Sequence, residues 1–461
     1  MRSIDDIAQF IHTRFAELVA DRKVPGAAVA VLKDGQIIDA GAGVLSTSTG
    51  VAVTADSVFQ IGSITKVWTA TLVMQLVDEG MLDLDAPIRR YLPEFHLKDE
   101  SAAAAITTRQ LLSHQAGFEG DVFTDTGRGD DAIEKYVDVI AGLPQLFSPG
   151  ELFSYNNVGF SLLGRLVEVL RGKTWEQALV DHIVTPLGLT HVAPSAYDAI
   201  LFRAAVGHVG PGEDGVEIAA PTWALARSNE PAGSMLAMSP RALLGFVAMH
   251  LAEGAGPDGT RILSPLSARA MRTAQVALPR LTGMGAAWGL GWEIITADAP
   301  IVLGHDGGTI GQAAFLRVVP EAGLAVALLT NGGDVFGLFE DVIAQILSEV
   351  AGVTLPGHPV PLDEPIAVEA GPLLGLYADT IYDLVVSTDD EGRIWLDRTP
   401  KDIIAEIGEK PMRTELVGFG EDSLIAREAT RGIHPIYAFL GDAGDGKRKY
   451  IHYGRIVTRA D

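Results

Sequence analysis

The sequence predicts an α/β protein, with helices flanking an antiparallel sheet, a helical subdomain beside it and an antiparallel β-barrel after it. Two observations carry this prediction. Strand pairs stand at both ends of residues 1–354 with helical patterns between them, so the ends join one sheet and the middle stands alongside. Residues 367–461 then read as paired strands around Gly/Asp turns, the pattern of a small closed or nearly closed barrel. The proline-rich run "LPGHPVPLDEP", within residues 355–366, is the linker between them.

Each element has a local reason. Ile4, Ile7, Phe10, Ile11, Phe15, Leu18 and Val19 fall on one face of a first helix, with charges between them. "GAAVAVLKDGQIIDAGAGVLS" is two strands around Asp34-Gly35, a strong hairpin signal. A helix opening at Ser63 runs to about Glu79 and stops at Gly80. Helical patterns follow in "TRQLLSHQ", "VGFSLLGRLVEVLRG", "TWEQALVDHIV" and "SPRALLGFVAMHLAEG". The Gly- and Pro-rich stretch from Gly207 to Pro231 reads as a long irregular loop, a kind that tends to be functional. Strands resume at "WGLGWEII", and "QAAFLRVVPEAGLAVALLTNG" adds a pair around Pro320–Gly323 before the helix "LFEDVIAQILSEV". In the barrel, "YDLVVSTDDEGRIWLD" and "HPIYAFLGDAGDGKRKYIHYGRIVTR" are the clearest strand pairs.

Composition excludes several classes of function. The 461 residues contain no cysteine, which removes disulfides, thiol catalysis and thiolate metal sites together. A formal charge of −24 argues against nucleic acid and anionic membranes as partners. No apolar run reaches the length of a membrane helix, and the N-terminal stretch reads as an amphipathic helix rather than an export signal. A cytoplasmic location is therefore expected. Neither H-E-x-x-H nor a tight His/Asp/Glu cluster occurs, so no metal or cofactor is expected, and without G-x-S-x-G the α/β-hydrolase elbow has no candidate.

Three short stretches carry the chemistry. In "GSITK", Ser63 and Lys66 share one face of a first helical turn. Serine there is often only a cap. A desolvated Lys66 with a lowered pKa could instead take the Ser63 proton, and the helix N-terminus favours negative charge on the oxygen. In "FSYNNVGF", Tyr155, Asn156 and Asn157 stand where a loop turns into a helix, suited either to capping and packing or to facing a cleft. In "LGHDGGTIG", His305 starts a strand, and Gly307 and Gly308 leave the backbone bare for a ligand.

In that order, Ser63-Ile64-Thr65-Lys66, Tyr155-Asn156-Asn157 and His305-Asp306-Gly307-Gly308 resemble the motifs of the serine β-lactamase and penicillin-binding-protein superfamily. The chain is most similar to the branch holding class C β-lactamases, family VIII carboxylesterases and D-aminopeptidases. The similarity extends to "LLSHQAGF" and "PAGSMLAMSPRALLGF" and covers about residues 5–350. The tail resembles the lipocalin-like barrel of some D-aminopeptidases. The resemblance implies a β-lactamase-like fold and a serine hydrolase acting through a Ser63 acyl-enzyme on an ester, amide or short peptide, including D-residue peptides. It implies that Lys66 and Tyr155 exchange the proton. It also implies that Asn157 orients Lys66 and the substrate, and that the N–H groups of Ser63 and Gly308 hold the oxyanion.

One departure bears on substrate. The β-lactamase third motif is Lys-Thr-Gly, yet no lysine occurs between Lys173 and Lys401, and His305 stands in its place. A neutral histidine binds carboxylates weakly, so β-lactamase activity ranks behind esterase and D-aminopeptidase or amidase activity, unless an arginine from elsewhere compensates. Acyl transfer, or a penicillin-binding sensor without turnover, would use the same residues. The barrel has three roles open to it: binding a ligand itself, closing one side of the cleft, or pairing two chains into a homodimer. Its loop Gly441–Lys449 is a candidate for reaching the site or a solvated hairpin tip, and Trp288 and Trp292 suit an acyl pocket or core packing.

Overall fold

The computed structural model describes residues 3–210, 217–401, 409–430 and 432–460. Helix α1 (Ile4–Asp21) opens with a reciprocal capping box between Ser3 and Asp6, and buries Ile7, Ile11, Phe15 and Val19. Strands β1 (Gly26–Lys33) and β2 (Gln36–Gly43) follow as a hairpin. Its two turn residues, Asp34 and Gly35, both have positive φ (50° and 81°), which is what a type I′ turn requires. The chain then leaves the sheet through α2 (Thr65–Asp78), α3 (Asn157–Arg171) and α4 (Pro240–Leu251).

It returns as β3 (Val276–Ala277), β4 (Ala287–Trp288), β5 (Glu293–Thr296), β6 (Val302–Gly308), β7 (Ala313–Val319) and β8 (Leu324–Thr330). The sheet order is β2-β1-β8-β7-β6-β5-β4-β3, so the first and last strand pairs meet at β1 and β8, with Ala27 opposite Thr330. β1 is apolar along its length because both of its faces are covered. Ala28, Ala30 and Leu32 face the helical insert, while Ala27, Val29 and Val31 face α1 and the helical run Val335–Ala351. His305, expected at a strand start, lies in the middle of β6.

Residues 354–370 run without helix or strand into the barrel. Eight antiparallel strands between Gly375 and Arg459 close on themselves. Alternate residues of all eight fill the interior, among them Tyr377, Leu384, Leu396, Leu424, Phe439, Ile451 and Val457. The barrel docks on the helical insert where Tyr450 and Ile456 pack on Phe147, and the Tyr450 hydroxyl donates to the Leu146 carbonyl at 3.1 Å. The tip Gly441–Asp445 is exposed to solvent, so the loop singled out in the sequence is a hairpin tip. Among the described residues no helix is long and apolar enough to cross a membrane, and no three His, Asp or Glu side chains are grouped to hold a metal.

The core fixes α2 in place through Trp68, which stacks on Phe246 of α4 at 3.9 Å with rings 12° apart, both fully buried. Phe246→Ala is expected to cost about 3–5 kcal/mol of stability, read as a lowered urea midpoint.

Candidate active site

Ser63 sits in a 3₁₀ turn, Gly62–Ile64, that feeds directly into α2. Neither helical segment has a side-chain cap, so Ser63 is not spent on capping. Its half-buried hydroxyl accepts a hydrogen bond from Lys66 Nζ at 3.1 Å. Lys66 is fully buried, and its amine also donates to the Ala232 carbonyl at 2.6 Å. The rings of Tyr155 and Phe160 lie 4.9 and 5.7 Å from that amine. Burial, helped by the nearby Arg455 charge and opposed by Asp121, holds the Lys66 pKa well below its ordinary value.

Tyr155 moves the other way. Burial pushes its pKa above the usual phenol value, outweighing the hydrogen bond to Ser63 and the Arg455 charge. The ring is held by His114, stacked at 4.4 Å, and by Trp288, edge-on at 5.7 Å. His114 Nδ1 accepts the Asn156 N–H at 3.0 Å, and burial keeps the imidazole neutral. Asn156 is the N-cap of α3, its side chain accepting the Gly159 N–H at 2.7 Å. Trp288 and Trp292, each 1% exposed, are packed in the core rather than lining open space.

Asn157 is brought to the same cleft but is otherwise engaged. Its amide donates to Asp121 at 2.6 Å, and among the described residues Lys66 is held by Ser63 and Ala232 instead. Asp121 in turn meets Arg455 from the barrel, through Nε and Nη2. The Arg455 guanidinium lies 5.1 Å from the Tyr155 ring centre and keeps 31% of its side chain exposed. The neighbouring barrel residues clasp the same motif. The Gly454 carbonyl accepts the Tyr155 N–H at 3.0 Å, and Ser154 Oγ accepts the Ile456 N–H at 3.1 Å.

The third stretch reaches Ser63 by its backbone. A Cβ on Gly62 would lie 2.6 Å from the Gly308 nitrogen, and one on Gly307 would collide with the Ile61 carbonyl and lie 3.1 Å from the Ser63 nitrogen. Gly308 stands opposite Ala313, next to the hydrogen-bonded pair Thr309–Gln312. Alternation in an antiparallel ladder then turns its N–H away from β7 and towards Ser63. His305 is 2% exposed, and its Nδ1 donates to the Asp306 carbonyl at 2.7 Å. Burial, with Lys66 and Arg317 pushing the same way, takes its pKa down to about 3. It is therefore neutral, where a lysine would carry a charge.

Ser63, Lys66, Tyr155, Asn157, His305, Gly307 and Gly308, the site residues expected from the sequence, are brought together here. Asp121, His114 and Arg455 were missed. His114 lay inside a quoted stretch, and Arg455 follows Gly454 in a hairpin turn of a chain that lacks a third-motif lysine.

An antiparallel sheet covered by helices on both faces, with a serine, a buried lysine and a tyrosine in one cleft, is the architecture of the penicillin-recognising serine hydrolases. The chain belongs to that superfamily: the Beta-lactamase family model matches residues 11–348. Penicillin-binding protein 4 of Amycolatopsis lactamdurans is 45% identical over 368 residues, 79% of this chain and 96% of that protein. A crystal structure of SurE with D-Leu superposes with a TM-score of 0.78 at 30% identity, covering 99% of this chain and 100% of that one. The D-amino acid amidase of Ochrobactrum anthropi SV3, complexed with D-phenylalanine, gives 0.59 at 25% identity over 71% of this chain and 92% of its own.

Gly307→Ala tests the backbone contact. The added methyl has no room beside Ile61, so the β6 backbone must move off Ser63. Reaction of Ser63 with an activated ester is expected to fall by about 100-fold or more, the scale of losing an oxyanion donor, with the circular dichroism spectrum unchanged.

Proposed function

We propose that the protein is a serine hydrolase that forms an acyl-enzyme on Ser63 from an amide, ester or short peptide bearing a D-residue. The observation that carries this reading is the Lys66 amine, fully buried and 3.1 Å from the Ser63 oxygen. A neutral amine there is a base of the right kind in the right place. Lys66 takes the Ser63 proton as Oγ bonds to the substrate carbonyl carbon. The negative charge that develops on the carbonyl oxygen is met by the N–H groups of Ser63 and Gly308. Collapse breaks the bond to the leaving amine or alkoxide, which takes a proton from Tyr155. The phenol is then restored by the Lys66 ammonium. Water repeats the sequence on the acyl-enzyme, releasing the acid and regenerating Ser63.

The likeness to SurE solved with D-Leu, and to an enzyme named a D-amino acid amidase, supports a D-configured substrate. Amide cleavage is favoured over ester cleavage by the amidase likeness. A substrate carboxylate, in this reading, meets Arg455 rather than His305, because the histidine is neutral and the half-buried guanidinium lies beside Tyr155. A second reading, stable acylation by penicillin, is favoured by the 45% identity to a penicillin-binding protein.

Intact mass measured after mixing with D-phenylalanine amide, an activated short-chain ester or a penicillin separates these readings. Turnover of the amide and ester that disappears in Ser63→Ala is the expected result. A lasting Ser63-dependent penicillin adduct without amide turnover supports the second reading, and no Ser63-dependent reaction with any of the three defeats both.

The pH profile follows from the two opposed shifts. Raising the pH through the lowered Lys66 pKa creates the neutral base, so acylation rises and reaches its plateau well below pH 10.5, the ordinary lysine value. The plateau then extends past the usual phenol range, because Tyr155 keeps its proton longer than a free tyrosine. Burst rates with the activated ester between pH 5 and 11 check this, and a midpoint at the ordinary lysine value contradicts it.

A further inference from the structure

A cavity of about 880 Å³ lies between β6, the loop Leu278–Ala286, the residues Leu355–Pro359 and the barrel. Gly307 and Gly308, which press on the Ser63 backbone, form part of its wall. Space is open at the Cβ position of Gly308, where no atom lies within 4 Å. The volume is at the upper end of the roughly 300–1,000 Å³ usual for ligand sites, far more than one amino-acid residue needs. Much of the lining is apolar: Met284, Ile295, Phe315, Phe336, Phe339 and Leu355.

The charged groups in the wall are largely compensated. Arg317 holds Asp306 through two contacts, at 2.5 and 3.0 Å, and Arg398 holds Glu409 at 2.6 Å. Arg280 lies over the Phe419 ring at 4.5 Å on the exposed rim. Burial beside Asp306 pushes Glu293 up to about 7, and its carboxyl accepts the Gly285 N–H. An anion entering this space would compete with carboxylates already in place, whereas an uncharged apolar chain would not. Tyr437, which lines the cavity, also belongs to the filled barrel interior, so the cavity ends against the barrel rather than passing into it.

We propose that this cavity is a subsite for the part of the substrate remote from the scissile bond, an uncharged peptidyl or acyl chain with apolar side groups, and that the barrel thereby sets substrate length. The inference rests on the assignment of Ser63 to the reacting end of the substrate. Occupancy of the subsite fixes a long chain along the Gly307–Gly308 backbone, while a single amino-acid amide leaves it empty.

The test uses the full chain carrying Ser63→Ala, so that binding is read without turnover. Calorimetry compares D-phenylalanine amide with an apolar pentapeptide amide ending in D-phenylalanine. The pentapeptide is expected to bind at least ten-fold more tightly. Leu355→Trp, which fills the cavity from a position remote from Ser63, is expected to remove that gain and leave the single-residue amide unchanged. Ile295→Trp fills it from the sheet and serves if the first variant folds poorly. Equal affinity for the two ligands, a length gain that survives both tryptophan variants, or no binding of the pentapeptide overturns the proposal. Labelling of Ser63 by the activated ester in the unmodified protein reports separately on the reaction itself, so failure of the subsite and failure of the serine assignment are distinguishable.

Discussion

The burial of Lys66 is the constraint on which the site depends. An isolated ammonium taken out of water costs several kcal/mol, and this one has a hydroxyl, a carbonyl and two aromatic rings around it rather than a carboxylate in contact. The side chain therefore favours its neutral form. The same dry surroundings act on Tyr155 with the opposite sign, because there the charged form is the deprotonated one. One physical cause thus leaves Ser63 between an uncharged acceptor and an uncharged donor. In the proposed mechanism, that separation of two titratable groups gives Lys66 the base role and Tyr155 the acid role. Around the serine the backbone approaches closely because it carries no side chains there. Gly233 adopts φ 118° with no room for a Cβ against the Gly62 carbonyl, and the Ala232 carbonyl beside it holds the Lys66 amine.

Tyr155 and Asn157 owe their positions to a second unit of the chain. Asp121 is 4% exposed at its side chain and draws its compensation from Asn157 on one side and Arg455 on the other. Withdrawing Arg455 would leave a buried carboxylate with one amide for company, a strongly unfavourable state. Glu119, two residues earlier, is pushed up to about 7 by burial and accepts the Thr380 N–H from the barrel. Physically, then, the barrel is a wall of the cleft. Its interior is filled with side chains and its tip is in solvent, and it acts through the short turn that ends in Arg455.

What could be read from the sequence was local. Asp34-Gly35 announces its turn because both residues tolerate positive φ, and Gly80, with φ 72°, ends the Ser63 helix close to where the pattern stops. The three motifs were legible because each is a short run of fixed residue types at a helix start or strand. The Arg455–Asp121 pair was not, since it joins residues 334 positions apart and leaves no periodic trace. The engagement of Asn157 with Asp121 was hidden for the same reason. The Gly441–Lys449 loop drew attention through its charges and glycines, but composition does not say which of two adjacent hairpin turns points inward.

The third motif shows how the loss of one cation redistributes recognition. A lysine in place of His305 would put a charge on the face of β6 that meets Lys66, and two cations so close would raise the cost of burying either. A buried, neutral His305 avoids that conflict and packs against Tyr155 and Trp288 instead, at 6.3 and 5.4 Å between ring centres. Positive charge near the cleft comes instead from Arg455 of the barrel, where Asp121 already balances it. In the proposed reading, a substrate carboxylate is drawn to the barrel turn, and the side beyond Gly307–Gly308 is left to uncharged parts of the ligand. On that reading, charge selection and chain accommodation therefore fall to different residues, Arg455 for the one and the Gly307–Gly308 side for the other.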